Sequence, residues 1–254
     1  MKHRLAQIKR ATVRILIDGQ PSGSGFIISR NGLIGTCFHV VQRLLPVSSE
    51  QTQITYATSI EVEFNDGNKL PAIANSSCRN QGFLEALSKD YCLLEVKSKN
   101  LSPLFLGTFA DACEGDNIYL CGFPFGISQA VVSVGMLSTK WITSGYLNRG
   151  SEREVAWLDI TMNKGNSGGP VVLIGNEPQE DKVIGIASFG LNPFASSAEK
   201  LIQIVQKFPG KAFIMGVNFK EFATLIGTAL ESNSLGVGGC ISIDYLKNKL
   251  KQDW

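Results

Sequence analysis

Between two apolar, strand-like runs the chain contains the stretch Asp159-Ile160-Thr161-Met162-Asn163-Lys164-Gly165-Asn166-Ser167-Gly168-Gly169-Pro170. Ser167 lies among three glycines, where the backbone can turn tightly and expose a hydroxyl beside N–H groups. Acyl transfer needs this combination, because two N–H donors can hold the oxyanion that develops on the attacked carbonyl. An ordinary turn between strands and a phosphate-binding loop are the alternatives. The phosphate loop is the weaker one, because Lys164 precedes the glycines and no helix-forming run follows.

A nucleophilic serine needs a general base, and the chain contains two histidines. His3 lies in a basic N-terminal segment, where a solvated side chain is expected. His39 lies in the apolar run 33–41, where a lone histidine is commonly a satisfied core residue. Asp90 comes at the entrance of an apolar strand, a position that by itself suits a turn. The order His39, Asp90, Ser167 nevertheless favours a nucleophile with its base and an orienting acid.

Five segments together carry a resemblance to a known family: Gly23-Ser24-Gly25-Phe26-Ile27-Ile28 with residues 36–40, then residues 90–96, 119–126, 165–170 and 185–190. They resemble the trypsin-like serine peptidases of the chymotrypsin fold, and among these the bacterial Deg/HtrA-type catalytic domain. The resemblance covers about residues 8–190 and resumes at residues 236–250. Beyond residue 250 too little chain remains for the peptide-binding PDZ module that many of those proteins carry.

The resemblance implies an all-β-dominated fold of two six-stranded antiparallel β-barrels, the first in residues 1–112 and the second in residues 113–254. Short strands separated by turn signals agree with antiparallel barrels and not with alternating β-α units. The predicted strands are residues 11–18, 25–29, 33–36, 60–64, 69–73 and 91–96, then 117–122, 130–139, 156–161, 170–174, 182–190 and 236–243, with a turn over residues 19–23, a helical turn over 39–45 and a linker at 97–113.

Residues 191–233 depart from the family pattern, in which a short hairpin joins the corresponding strands. Apolar residues at helical spacing predict two amphipathic helices, over residues 197–208 and 219–232. They either pack on the second barrel or form a lid beside the substrate cleft. A C-terminal helix over residues 244–251 is also predicted.

Carried over residue by residue, the resemblance implies His39 as base, Asp90 as its orienting acid and Ser167 as nucleophile. The N–H groups of Gly165 and Ser167 are the implied oxyanion donors. The primary specificity pocket is expected along residues 237–240 and Thr161, Met162, Ala187, Ser188, Phe189 and Gly190. These residues include no acid, so a small or medium apolar side chain of the substrate is expected rather than arginine or lysine.

Asn166 occupies the position before the serine, where digestive-type relatives have an aspartate that pairs with a new N-terminal amine. An asparagine cannot form that ion pair, so activation by N-terminal cleavage is not expected. The loop with Ser167 is then ordered permanently, by a partner, or by the insert 191–233.

The composition is that of a globular protein, with 44% hydrophobic and 18% charged residues and a net charge of +2. This charge is too small to indicate nucleic acid as a partner, and no apolar run approaches the about 20 residues that span a bilayer. The six cysteines show neither paired nor metal-ligand spacing, so free thiols, no metal and no cofactor are expected. Without a signal-like N-terminus, the expected location is cytoplasmic.

Three functions are compatible with these motifs. The first is a serine endopeptidase acting on protein or peptide substrates, and the second is a catalytically idle trypsin fold used for binding. The third is acyl transfer on small esters, against which the strand 186–190 argues because it suits pairing with a peptide backbone. A regulatory protein partner, in a bacterial stress or defence system, is expected by analogy.

Overall fold

A computed structural model describes residues 2–46, 52–144, 152–190, 203, 213–214, 217–232 and 236–250. Most of these residues lie in two closed β-barrels of six antiparallel strands each. This confirms the predicted fold class. None of the helices in these ranges has the length and apolarity that crossing a membrane requires.

The first barrel has the strand order β1-β2-β3-β8-β7-β6. Its strands are β1 (Thr12–Ile17), β2 (Gln20–Ile27), β3 (Leu33–Thr36), β6 (Ile60–Glu63), β7 (Lys69–Ala74) and β8 (Cys92–Val96), with the hairpin β4 (Gln42–Pro46) and β5 (Thr52–Tyr56) beside the barrel. Alternation explains how such strands face the core: in β6, Ile60 and Val62 are buried while Glu61 and Glu63 are partly exposed. Two short helices, α2 (Phe38–Val41) and α3 (Phe83–Lys89), lie on either side of the β4–β5 hairpin in sequence.

The second barrel has the strand order β10-β11-β16-β13-β12-β9. Its strands are β9 (Asn117–Gly122), β10 (Val131–Ser144), β11 (Glu152–Asp159), β12 (Pro170–Leu173), β13 (Lys182–Gly190) and β16 (Val237–Ser242). Strand β13 is buried on both faces: Ile184 and Ala187 pack in the core of this barrel, while Val183 and Ile186 join a larger core that also includes the first barrel. Strand β13 therefore contributes side chains to both cores.

The helices at the two ends of the chain make contacts across the predicted domain boundary at residue 112. The N-terminal helix α1 (Lys2–Ala11) buries Ile8 and Ala11, and its Arg4 binds Asp181, between β12 and β13. The C-terminal helix Asp244–Leu250 packs Leu246 near Gly35 of β3 and pairs Lys249 with Glu85 of α3. Each barrel is thus in contact with a helix from the opposite end of the sequence.

Several elements differ from the sequence prediction. The helical turn predicted over residues 39–45 is shorter, since α2 ends at Val41 and residues 42–46 form β4. Helix α1 was not predicted, because its basic residues obscure the apolar positions Leu5, Ile8 and Ala11. The β4–β5 hairpin and α3 were also missed, since both are short and lack a long apolar period. Strand β2 begins at Gln20 rather than residue 25, because Asp18 and Gly19 alone make the turn, both with positive φ.

The predicted insert is described in part. The helix Phe219–Ser232 confirms the second of its two predicted helices, and a small hairpin, β14 (Phe213–Ile214) with β15 (Val217–Asn218), precedes it. The predicted helix 197–208 lies outside the described residues, apart from a helical Gln203. Within the second helix, Ala223 is buried, while Phe222, Leu225 and Ile226 are exposed.

Candidate active site

His39 and Asp90 form a closely coupled pair in the first barrel. The Nδ1 atom of His39 lies 2.9 Å from Oδ2 of Asp90, and the backbone N–H of His39 donates to Oδ1 at 3.0 Å. Asp90 ends helix α3 in a left-handed conformation with φ 63°, which a short polar side chain tolerates. This turn aims the carboxylate at the start of α2, so ring and backbone of His39 are held by one side chain.

The pKa of each residue in this pair is shifted in the direction that favours its charged form. Burial alone lowers the pKa of His39, but the Asp90 charge and hydrogen bond outweigh burial, so the net pKa lies above its ordinary value. Burial alone raises the pKa of Asp90, and His39 together with two further hydrogen bonds brings it below its ordinary value. Asp90 therefore remains a carboxylate that accepts from the Nδ1–H group, which leaves Nε2 of His39 available as a base.

Ser188 connects this pair to Ser167. Its buried hydroxyl donates to Oδ2 of Asp90 at 2.5 Å, and its carbonyl accepts from the hydroxyl of Ser167 at 3.4 Å. Among the contacts of the described residues, Ser167 makes this long bond rather than one to His39. Hydrogen bonds between nucleophile and base commonly tighten only when substrate binds, so the geometry is compatible with proton transfer.

Three successive peptide groups around Ser167 are each held through their carbonyl oxygen. The Lys164 carbonyl accepts from the Phe125 amide at 2.7 Å, and the Gly165 carbonyl accepts from the Ser24 hydroxyl at 2.6 Å. The carbonyl of Asn166 accepts from the Gly169 amide at 3.0 Å. In a trans peptide the N–H points away from the carbonyl, so these bonds also set the directions of the three following N–H groups.

With these peptide orientations, two of the three backbone N–H groups remain available as donors. The Asn166 amide is occupied, because it donates to the Asn163 carbonyl at 3.0 Å. The amides of Gly165 and Ser167 have no acceptor among the described residues. These are the two groups that the sequence comparison with serine peptidases assigns to the oxyanion. They can bind an anionic oxygen without a rearrangement of the loop.

Two glycines in the loop have no substitute. Gly165 has φ +101°, and a Cβ atom there would lie 2.3 Å from the carbonyl oxygen of Phe123. Gly168 has φ +86°, and a Cβ atom there would lie 2.0 Å from the carbonyl oxygen of Ser24. The conformation that exposes Ser167 thus needs glycine both for its dihedral angles and for its close approach to neighbouring backbone.

The residues predicted to line the specificity pocket lie in different environments. Thr161 is exposed, whereas Met162 is buried with its Sδ atom against Gly238, where an added Cβ atom would lie 2.5 Å from that sulfur. Ala187 is fully buried, and the hydroxyl of Ser188 is turned to Asp90 rather than to a pocket. Phe189 and Gly190 continue β13 opposite Gly239 and Gly238, and the side chain of Phe189 lies outside the described structure.

A cavity of about 400 Å³ opens beside the loop. It is lined by Pro21, Ser22, Gly23, Phe123, Phe125, Gly126, Lys164 and Gly165. The cavity was not predicted from the sequence, because its walls come from three separate segments. The motif of residues 119–126, which contains Phe123 and Phe125, could have indicated it, but it served only to support the resemblance.

Cys37 completes a cluster with His39 and Asp90, and the possible ligand atoms of the three residues lie within 4.8 Å of one another. Burial, reinforced by the Asp90 charge, raises the pKa of the Cys37 thiol well above its usual value. The thiol donates to the Ala187 carbonyl at 3.2 Å. A thiol that keeps its proton acts as a small buried donor rather than a metal ligand, and the absence of a metal stays a prediction. All six cysteines are free, as the sequence predicts.

Two antiparallel barrels, a histidine–aspartate pair and a serine in a glycine-rich turn define the chymotrypsin-like class of serine peptidases. The family model of the trypsin-like peptidase domain matches residues 23–186, and the chain belongs to this family.

The curated relatives that match this chain include proteins named as serine proteases. Human serine protease HTRA4 is 30% identical over 202 residues, which cover 76% of this chain and 37% of that protein. A probable periplasmic serine endoprotease, DegP-like, from Halomonas elongata is 33% identical over 171 residues, covering 65% of this chain and 29% of that protein. The chain thus spans well under half the length of both relatives.

Among solved structures, the HtrA-type protease AlgW with a tripeptide has a TM-score of 0.61 at 19% identity, covering 99% of this chain and 62% of that one. The inactive form of the Rv3671c protease has a TM-score of 0.59 at 16% identity, covering 98% of this chain and 91% of that one. At such identities, the two similarities concern the fold alone.

Proposed function

We propose that the protein is a serine endopeptidase that hydrolyses peptide bonds in protein or peptide substrates. The observation that carries this proposal is the pair of amides at Gly165 and Ser167, which have no acceptor among the described residues, beside a serine hydroxyl.

The chemistry follows from these contacts. The Ser167 hydroxyl attacks the substrate carbonyl while Nε2 of His39 takes its proton, and the amides of Gly165 and Ser167 stabilise the oxyanion. His39 then gives the proton to the leaving amine, and water repeats the sequence to hydrolyse the ester at Ser167. Asp90 holds the ring by Nδ1 and stabilises the imidazolium, a role that the raised pKa of His39 supports.

An open strand edge favours peptides over small esters. Strand β12 ends its pairing with β13 at Ile186, whereas β16 continues to pair with β13 as far as Gly190. Residues 188–190 consequently have no strand partner on the β12 side in the described structure, and an extended peptide can pair there. AlgW, which has the same fold, was solved with a tripeptide and with a decapeptide.

The proposed primary specificity is for a small or medium apolar side chain. Met162 packs against Gly238 and fills space that a longer substrate side chain would need. Met162→Ala is expected to shift cleavage in a peptide library towards larger apolar side chains, with Met136→Ala, on an exposed part of β10, as the matched control. An unchanged preference would contradict the assignment of Met162 to the pocket.

A fluorophosphonate probe tests the proposed activity directly. We expect covalent labelling of the wild type and cleavage of peptides from a library, and loss of both in Ser167→Ala, by about 10⁶-fold for turnover. Ser59→Ala, at an exposed serine, is the matched control and should behave like the wild type. No labelling of folded wild type would support the idle binding module, and labelling without peptide cleavage would support an esterase.

Regulation and location also belong to the proposal. A regulatory protein partner and a cytoplasmic location remain predictions from the sequence. Cell fractionation, and capture of partners on the Ser167→Ala variant with sequencing of bound peptides, test these two predictions.

A further inference from the structure

Ser24 is a buried polar residue of β2 with four hydrogen bonds to its surroundings. Its hydroxyl donates to the Gly165 carbonyl at 2.6 Å and accepts from the Phe123 amide at 2.9 Å. Its backbone N–H donates to the Ser167 carbonyl at 2.8 Å, and its carbonyl accepts from the Thr36 hydroxyl at 2.7 Å. The side chain is 0% exposed. A residue of the first barrel is therefore bonded on both sides of the loop that carries Ser167.

The hydrogen bond from the Ser24 hydroxyl to the Gly165 carbonyl restricts backbone rotation at a glycine. Gly165 can exchange between conformations that other residues cannot adopt, so the peptide groups on its two sides can rotate unless they are held. The Phe125 amide holds the peptide before Gly165, and the Ser24 hydroxyl holds the peptide after it. The Phe125 donor is a backbone amide, whereas the Ser24 donor is a side chain and can be removed by substitution. Rotation of either peptide would turn an oxyanion donor away or bring a carbonyl oxygen towards the substrate.

We propose that Ser24 is a positioning residue of the oxyanion loop: its hydroxyl, supplied by the first barrel, holds the Gly165–Asn166 peptide. This keeps the Gly165 carbonyl turned away from the oxyanion site and fixes the backbone of Gly165 in the conformation in which its own amide faces the substrate. The inference rests on the proposed peptidase function and deepens it. It also identifies a source of order for the loop that needs neither a cleaved N-terminus nor a charge at Asn166. The active conformation then depends on contact between the two barrels.

The test compares Ser24→Ala, which removes the hydroxyl, with Ser24→Thr, which retains a hydroxyl and suits a strand. The matched control is Thr12→Val, which removes another fully buried hydroxyl of the first barrel, one that is bonded to the Ile8 carbonyl at 2.8 Å and not to the loop. Rates are expressed per active site, counted by endpoint titration with a fluorophosphonate. Misfolded molecules then do not enter the measured kcat.

We expect Ser24→Ala to lower kcat per titrated site by about 10- to 100-fold with little change in KM, less than the about 10²–10³-fold loss of a whole oxyanion donor. Inhibition by a peptide aldehyde, whose adduct oxygen occupies the oxyanion site, should weaken in parallel. Ser24→Thr should recover most of the rate. Thr12→Val should lower the melting temperature without changing kcat per site.

Two kinds of failure are distinguishable. If wild type neither reacts with the probe nor cleaves peptides, the proposed function is wrong. If wild type is active and Ser24→Ala has the same kcat per site and the same aldehyde affinity, then Ser24 is only structural and the inference is overturned. A loss in Ser24→Ala that Ser24→Thr does not restore would contradict the role of the hydroxyl.

Discussion

Asp90 contacts both the ring and the backbone N–H of His39 and accepts from the hydroxyl of Ser188. The described structure shows Asp66, Asp111 and Asp116 each accepting from a nearby backbone N–H in a local turn. Their carboxylates are already used to cap turns. The sequence order that singled out Asp90 agrees with this division of roles.

We predict that Asp90→Asn lowers kcat by about 10⁴-fold, because an amide can donate to Nδ1 and stabilise the wrong tautomer of His39. Asp116→Asn, which changes a turn-capping carboxylate, is the control and should keep a near-normal rate. Steady-state kinetics on one peptide decide between them. A small effect at Asp90 with a large one at Asp116 would reassign the orienting acid.

The raised pKa of His39 predicts the acid limb of the pH profile. His39 must be neutral to accept the serine proton, so kcat/KM should rise with pH through an apparent pKa above the ordinary value of about 6.5. Since the Asp90 charge causes the rise, Asp90→Asn should move this limb to lower pH. A wild-type midpoint well below 6.5, measured under conditions where the fold is stable, would show that another group controls the limb.

At the scale of elements, the N-terminal helix acts as a brace. Arg4 of α1 donates to the Gly175 carbonyl at 2.9 Å, and its Nε lies 2.8 Å from Oδ2 of the buried Asp181 without the alignment of a hydrogen bond. The helix therefore joins the turn between β12 and β13 to the first barrel. Nothing in this contact resembles an inhibitory segment that has to be cut away.

Arg4→Ala is expected to lower the free energy of unfolding by about 1–3 kcal/mol, because it leaves the Asp181 carboxylate without its cation. Arg10→Ala, on an exposed position of the same helix, should have little effect. Denaturant unfolding measures the first effect, and kcat per titrated site should be unchanged in both. Higher activity on removal of residues 1–10 would instead indicate activation by N-terminal cleavage.

The insert helix Phe219–Ser232 exposes Phe222, Leu225 and Ile226, by 41%, 69% and 37%, so part of its apolar stripe lies on the surface. Since Ser24 and backbone amides already hold the oxyanion loop, we expect the insert to limit access rather than to order the loop.

Replacing residues 193–232 by a short hairpin should then speed the cleavage of protein substrates and leave kcat for a short peptide unchanged. Both rates are measured on a variant whose melting curve shows a folded protein. A fall in kcat for the short peptide would mean that the insert orders the loop, and no change in either rate would mean that it only packs on the barrel.

At the scale of the whole molecule, the candidate site exists at the junction of the barrels. The contacts that cross it include Ser24 with Gly165, the Cys37 thiol with the Ala187 carbonyl, and Ser188 with Asp90. The largest apolar core also contains residues from both halves, among them Phe26, Ile186 and Leu246. Each barrel therefore loses part of its core when it is separated.

We predict a single cooperative unfolding transition, with calorimetric and van't Hoff enthalpies that agree. A fragment of residues 1–112 should remain unfolded, because it lacks the C-terminal helix that packs Leu246 against β3. Calorimetry of the full chain and circular dichroism of the fragment test this. Two separate transitions would show that the barrels are independent folding units.

The sequence alone determined the order His39, Asp90, Ser167 and the glycines of the loop, because turn residues and a serine in a tight turn are local chemistry, and its resemblance to the trypsin-like peptidases implied the class of fold. Tertiary structure alone decided the contact of Ser24 with Gly165, the contact of Ser188 with Asp90 and the position of the basic N-terminal helix. These depend on residues 141, 98 and about 177 positions apart in sequence, which meet only when both barrels have closed. No local pattern encodes such a meeting, because the same serine in an isolated strand has no preferred partner.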